Sequence, residues 1–294
     1  MAGHFVHHKL VGMLTLDVRN AFNSAPWEAI LEAAKSRLVP PGLLRILDGY
    51  LSDRAILVSS NSGSSSFTHN MSCGIAQGSV LSPDLWNLLY DGLLRIMLPE
   101  GVHLLAFADD IAVLATHQIP FVLEEKLEEA YNSIESWMTE HGLQLAAEKT
   151  EAIVFTNMRV RNEIRVKCGG FTIESKPDIK YLGVQVDKKL TFTKHAELAA
   201  DRAVTAAKHL GYLMPNMGGP REKSRRLLTS VTTSRLLYAA PFWADTMSAQ
   251  GWKKLAAVHK TLPAESGLLL QDGVLRGCGG DLWNPSYLSP SGDP

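Results

Sequence analysis

HLLAFADDIAVLA, His103–Ala115, sets two short apolar runs on either side of an adjacent pair of carboxylates, Asp109 and Asp110. Runs this short, rich in Leu, Ile and Val and broken by polar residues, predict a β-hairpin and not a helix. The carboxylate pair is chemically unusual. Flanked by Leu104, Leu105, Phe107, Ile111, Val113 and Leu114, the two acids cannot both stay ionised at low cost in apolar surroundings. Desolvation and mutual repulsion would each raise a pKa. A hairpin turn can present such a pair to solvent or to a cation, and carboxylate oxygens suit a hard divalent ion. A plain surface turn would also carry Asp, so the pair alone leaves both readings open.

Upstream, Leu10–Leu16 reads as a buried strand that ends at Asp17. A carboxylate there would reach the same sheet edge as a neighbouring hairpin, or cap the following helix. Three carboxylates converging from two strand elements are what two-metal phosphoryl transfer requires. Between these strands the periodicity predicts helices over Trp27–Arg37, stopped by Pro40 and Pro41, and over Leu43–Leu51. A strand over Ala55–Ser59 and a turn at Asn61–Ser66 predict a hairpin. Ser82 and Pro83 open another helix, with Ser82 as N-cap and Leu85, Leu88, Leu89, Leu93 and Met97 on one face.

Downstream, Glu124–His141 is amphipathic and closed by Gly142. Ala152–Thr156 is a strand, Ile164–Ile173 a hairpin turning at Gly169 and Gly170, and Lys180–Val186 one further strand. After Asp187 the pattern becomes helical, over Lys194–Met214, Arg221–Tyr238 and Gln250–His259, with Gly218, Gly219 and Pro220 separating the first two. The tail from about Leu262 has no periodicity. The fold class expected is α+β, an antiparallel sheet backed by helices and followed by a helical segment.

Composition narrows the function classes. A chain of 294 residues with 46% hydrophobic and 20% charged content is that of an ordinary globular protein with a sizeable core. No apolar run reaches membrane-spanning length, no secretory signal is visible, and Cys73, Cys168 and Cys278 form no CxxC pair. An intracellular, reduced location, cytoplasm and nucleus, with no membrane partner, is therefore expected. The net charge of −1 conceals an asymmetry: residues 17–156 carry −10, and residues 157–235 carry +9. An acidic part followed by a basic one is what a cation-dependent site beside a phosphate-gripping surface would produce, although a solvated basic face would give the same count.

Five stretches make a resemblance specific. LDVRNAFNSAPW (Leu16–Trp27), GIAQGSVLSPDLWNLLYDGLL (Gly74–Leu94) and FADD (Phe107–Asp110) resemble the first three palm motifs of reverse transcriptases of non-LTR (LINE-type) retrotransposons. WMTEHGLQLAAEKTEAIVF (Trp137–Phe155) resembles the fourth, and KYLGVQVDKKLTFTKH (Lys180–His195) the fifth, the primer-grip region. LLYAAPFWA (Leu236–Ala244) resembles a thumb segment of the same elements. The motifs stand in the family's order and cover roughly residues 10–245.

The resemblance implies an RNA-directed DNA polymerase: a nucleotidyltransferase that adds dNTPs to a DNA primer 3′-hydroxyl on an RNA template with two Mg²⁺ ions, or Mn²⁺ in their place. It makes Asp17, Asp109 and Asp110 the catalytic metal carboxylates. Phe22 falls at the steric gate beneath the sugar, and Gln77 and Gly78, with Ser79, in a nucleotide-binding loop where the family commonly has Pro instead of Ala76. Lys149 would lie near the triphosphate, and Tyr181, Leu182 and Gly183 would hold the primer. The domains implied are a palm over residues 1–190, a helical thumb-like segment over 191–260 and an irregular tail over 261–294. Neither the family's fingers nor its endonuclease can be assigned to this sequence, which suggests a truncated fragment. The alternative is an inactive remnant that only binds nucleic acid. Oligomeric state is not readable.

Overall fold

The computed structural model describes residues 10–59, 66–156, 163–212 and 230–261. The chain divides into two compact units, Met1–Pro177 and Asp178–Pro294. The turn at 61–65, the Gly218–Pro220 separator, part of the basic stretch with Arg225 and Arg226, and the tail from Leu262 lie outside the described residues.

The first unit is built on a six-stranded sheet. Its strands are β1 (Leu10–Asp17), β4 (Val102–Phe107), β5 (Asp110–His117), β6 (Glu151–Phe155), β7 (Arg165–Cys168) and β8 (Phe171–Lys176), in the order β4-β5-β1-β6-β8-β7. Every pairing is antiparallel except that of β6 with β8. β1 is central and pairs on both edges, so its Leu10, Leu14 and Leu16 are almost wholly buried. Each such side chain contributes roughly 1.5–3 kcal/mol by leaving water.

The helix α5 (Pro120–Glu140) packs on β1, β5 and β7. Its buried residues, Leu123, Leu127, Ala130, Tyr131, Ile134, Trp137 and Met138, recur at three- and four-residue spacing and form the apolar stripe expected from the sequence. The described residues of the unit also form the α-helices α1 (Ala21–Ser24), α2 (Trp27–Ser36), α3 (Pro41–Leu51) and α4 (Ser82–Tyr90). β2 (Ala55–Ser59) and β3 (Ser66–Asn70) pair as the separate antiparallel ribbon expected from the sequence.

Several local expectations are overturned. Ser82 is not an N-cap: Leu81 holds that position, and the buried Ser82 hydroxyl donates backwards to the Ala76 carbonyl at 2.7 Å. The helix it opens ends at Tyr90, so Met97 escapes the apolar face and is 91% exposed. Pro41 does not stop a helix; it begins α3, where its missing N–H is no loss. Lys180–Val186 is not one strand but two, because the chain reverses at Leu182 and Gly183 with φ of 45° and 82°.

That reversal belongs to the second unit, whose β9 (Asp178–Tyr181) and β10 (Val184–Asp187) form a hairpin. Asp187 then anchors the way into α6 (Thr193–Tyr212), accepting hydrogen bonds from the N–H groups of Lys189, Thr191 and Phe192. α6 packs on α8 (Ala249–Thr261), and its Ala196, Ala199, Ala200, Ala203 and Ala206 are buried. Residues 230–236 are helical, and α7 (Ala240–Trp243) follows. Trp243, wholly buried, sits within 6 Å of the His195 and Trp252 rings. No helix among the described residues is long and apolar enough to cross a membrane.

Candidate active site

The end of the central strand pair gathers the acidic side chains. β1 and β5 run in a register that sets Asp17 directly opposite Asp110. The β4–β5 connection is only Ala108 and Asp109, closed by the Phe107–Asp110 pair, so Asp109 stands at the same end of the sheet. Ala108 takes φ +53°, a left-handed conformation costly for any residue with a Cβ. Its carbonyl accepts a hydrogen bond from Trp86 Nε1 at 2.9 Å, which ties the turn to α4.

The acidic pair is less sunken than its neighbours in sequence suggest. Asp110 is exposed and Asp109 half-buried. The reason is that β4 is an edge strand, with Leu105 and Phe107 more than half exposed on its open face. What feels all three carboxylates is Tyr90. Burial first, and then the charges of Asp109, Asp17 and Asp110, hold its phenol far above the usual range. Its hydroxyl is buried without a hydrogen-bond partner. Tyr90 continues a ring ladder: Phe22 stacks on Trp86 at 5.2 Å, and Trp86 meets Tyr90 at 4.7 Å.

Lys149 arrives from a distant part of the chain. Ala146 N–H donates to the Asp17 carbonyl and Arg19 N–H to the Gln144 carbonyl, laying the segment after α5 along the end of β1. The 3-10 turn Ala147–Lys149 then brings Lys149 Nζ to Asp17 Oδ2 at 2.7 Å. This hydrogen bond, with the Asp17 charge, raises the Lys149 pKa. Arg19 pairs with Glu148 at 2.8 Å beside it.

A hard divalent cation needs oxygen ligands, and Asp17, Asp109 and Asp110 are donors of the right kind on adjacent backbone positions. Among the described residues, however, no three His, Cys, Asp or Glu side chains stand gathered as a metal-holding group. One Asp17 oxygen is instead given to Lys149. The β1–β5 register sets Asp17 and Asp110 opposite each other, but their side chains would have to turn toward an ion to hold it.

Phe22 lies on α1, half-buried against this cluster. Its carbonyl accepts from Ile75 N–H at 2.7 Å, and Ala25 carbonyl from Gly74 N–H at 2.8 Å, so the loop carrying Gln77 and Gly78 is bound to α1. Both residues are exposed in a turn closed by Ser79 N–H on the Ala76 carbonyl, with Gly78 at φ +86°. Tyr181, Leu182 and Gly183 belong to the second unit. There the Leu182 carbonyl accepts from Tyr238 Oη at 3.0 Å, and a Cβ on Gly183 would come within 2.9 Å of the Tyr238 ring. Sequence reading did not single out Trp86, Tyr90 or Tyr238. The i, i+4 aromatic pair on α4 was the available signal for the first two.

The family described as reverse transcriptase (RNA-dependent DNA polymerase) matches residues 3–186. A 115 kDa protein of the type-1 retrotransposable element R1DM of Drosophila melanogaster is 28% identical over 234 residues, 79% of this chain and 22% of that protein. The RNA-directed DNA polymerase from the mobile element jockey of the same fly is 30% identical over 61% of this chain and 20% of that protein. The chain thus spans about a fifth of the length of these relatives. Among solved structures, apo telomerase from Candida tropicalis is similar with a TM-score of 0.46 and 13% identity, over 84% of this chain and 46% of that one.

Proposed function

The chain belongs to the reverse transcriptase family, and on that premise we propose that it carries the palm chemistry of a non-LTR retrotransposon polymerase, extending a DNA primer with dNTPs on an RNA template. The observation that carries the reading is the β1–β5 register, with Asp17 opposite Asp110 and Asp109 in the adjoining turn. Reverse transcriptases generally use divalent metals; Asp17, Asp109 and Asp110 would hold two Mg²⁺ ions, which would supply Lewis acidity toward the attacking hydroxyl and charge stabilisation for the leaving group.

The other residues supply position. Phe22, fixed by its stack on Trp86, lies beneath the sugar and leaves no room for a 2′-hydroxyl. The exposed turn at Gln77 and Gly78 lets backbone approach the nucleotide closely. Lys149 leaves Asp17 for the triphosphate, where its charge stabilises the leaving group. Tyr181, Leu182 and Gly183 hold the primer terminus, and the basic stretch of residues 157–235 follows the duplex backbone.

A second reading, a nucleic-acid-binding chain that does not turn over, draws on one observation: the Lys149 ammonium is paired with an Asp17 oxygen at 2.7 Å. Primer extension on poly(rA)/oligo(dT) with dTTP and Mg²⁺ separates the two. Template-dependent incorporation supports the polymerase. Duplex binding with no incorporation under any divalent cation favours the second reading and rejects the first.

A further inference from the structure

The second unit holds a groove of about 440 Å³ that none of these roles uses, walled by His195, Ala199 and Arg202 of α6 and by Ser234, Arg235 and Tyr238. His195, Ala199 and Arg202 share one helix face by their spacing. Arg202, Ser234, Arg235 and Tyr238 are exposed. Neither arginine forms an ion pair with a described carboxylate. Two guanidiniums along one groove, unpaired among the described residues, make it a cationic slot with planar donors suited to phosphate oxygens.

His195 adds a second, independent sign. It is only 3% exposed. Its Nδ1 accepts the Gln185 N–H at 3.3 Å, so Nε2 carries the proton. That buried Nε2–H has no acceptor among the described residues. An orphaned buried donor is rare, because it loses its bond to water and gains nothing in return. His195 lines the groove on the same helix as Arg202.

We propose that this groove receives one backbone phosphate of a nucleic-acid duplex, with Arg202 and Arg235 sharing its charge and His195 Nε2 donating to an oxygen. The assignment rests on the reading that the chain grips a primer–template. A diester in a polymer is favoured over a free phosphate ion because the groove is open, larger than the ion, and belongs to the stretch of residues 157–235 that carries a charge of +9.

The test measures affinity for a primer–template duplex across a range of KCl concentrations, together with the ¹⁵N signal of His195 Nε2. Two arginines on one phosphate predict that Arg202→Ala or Arg235→Ala alone leaves the phosphate neutralised and the log–log salt slope nearly unchanged, whereas the double variant flattens it by about 0.9, the value for one neutralised phosphate. Lys253→Ala, an exposed cation in the same unit, should leave affinity and the His195 signal unchanged when the duplex binds. Duplex should shift the Nε2 signal of the wild type and not of the double variant. A slope unchanged in the double variant, or reduced by twice that amount, would overturn the shared-phosphate groove while leaving the polymerase reading intact. If inorganic phosphate moves the Nε2 signal and duplex does not, the site is a free-anion site and the nucleic-acid assignment fails. Failure of the wild type to bind duplex at low salt would overturn the underlying reading and the groove with it.

Discussion

Lys149 Nζ donates to Asp17 Oδ2 at 2.7 Å across 132 residues of chain. The pair is largely open to water, with Lys149 about two-thirds exposed, and exposed ion pairs add little to stability. Its interest is chemical. An ammonium occupies the carboxylate that a divalent cation would need, so lysine and metal compete for one oxygen. Releasing Asp17 also frees Lys149 for a second anion.

Replacing Lys149 with Met should therefore separate two effects. Mn²⁺ binding, followed by electron paramagnetic resonance, should tighten several-fold because the competitor is gone. The KM for dNTP should rise because the cation meant for the triphosphate is missing, and the melting temperature should hardly move. Weaker Mn²⁺ binding in the variant would show that the pair organises the site instead of blocking it.

Phe22→Val should admit ribonucleotides. The ring is held by Trp86, 5.2 Å away and nearly parallel, so its position is fixed by packing worth about 0.5–1.5 kcal/mol. Deleting a repulsive wall should raise rNTP use relative to dNTP by about 10- to 1000-fold. Surviving activity with an unchanged ratio would leave Phe22 as a packing residue alone.

Gly74→Ala should destabilise the first unit. Gly74 has φ +93°, and an added Cβ would stand 2.6 Å from the Asn23 carbonyl oxygen, which is backbone and cannot swing aside. Left-handed strain and this clash together should cost at least about 2 kcal/mol, read as a lower urea midpoint with an unchanged m-value. An unaltered midpoint would mean that the loop between β3 and α4 rearranges freely.

Acid should loosen the second unit through His195. Burial first, and then the nearby Arg202 charge, hold its pKa below the ordinary 6.5. As pH falls through 6.5 the unfolded chain takes up the proton first, so stability declines until the lower folded pKa is passed and is fully present above 6.5. His195→Gln should flatten the melting-temperature profile over that window. An equal slope in wild type and variant would assign the acid sensitivity to other groups.

Much of this was legible in the sequence where local rules and tertiary demands agree. The hairpin at Phe107–Asp110 and the stripe of α5 are readable because strand length and helical period are written into successive residues. Leu182 hid a turn, since leucine at positive φ breaks the usual turn chemistry and Gly183 alone was a weak signal. Ser82 looked like a cap because hydroxyls cap helices, yet the Ala76 carbonyl, brought close by the loop, offered a buried acceptor. The Asp17–Asp110 register follows from strand order, which residue pattern alone does not encode. The Lys149–Asp17 and Trp86–Ala108 contacts depend on where distant segments land, and only the folded chain shows them.

The most direct measurement is RNA-templated primer extension by Asp110→Asn against the wild type, with thermal melting of both. The exchange removes one negative charge from the group of three around Tyr90 without changing side-chain size, so the fold should be as stable or slightly more so. Incorporation should fall at least about 100-fold, as expected when a group aimed at developing charge is lost, and added Mn²⁺ should not restore it fully. Near-wild-type extension by a folded Asp110→Asn chain would contradict the account.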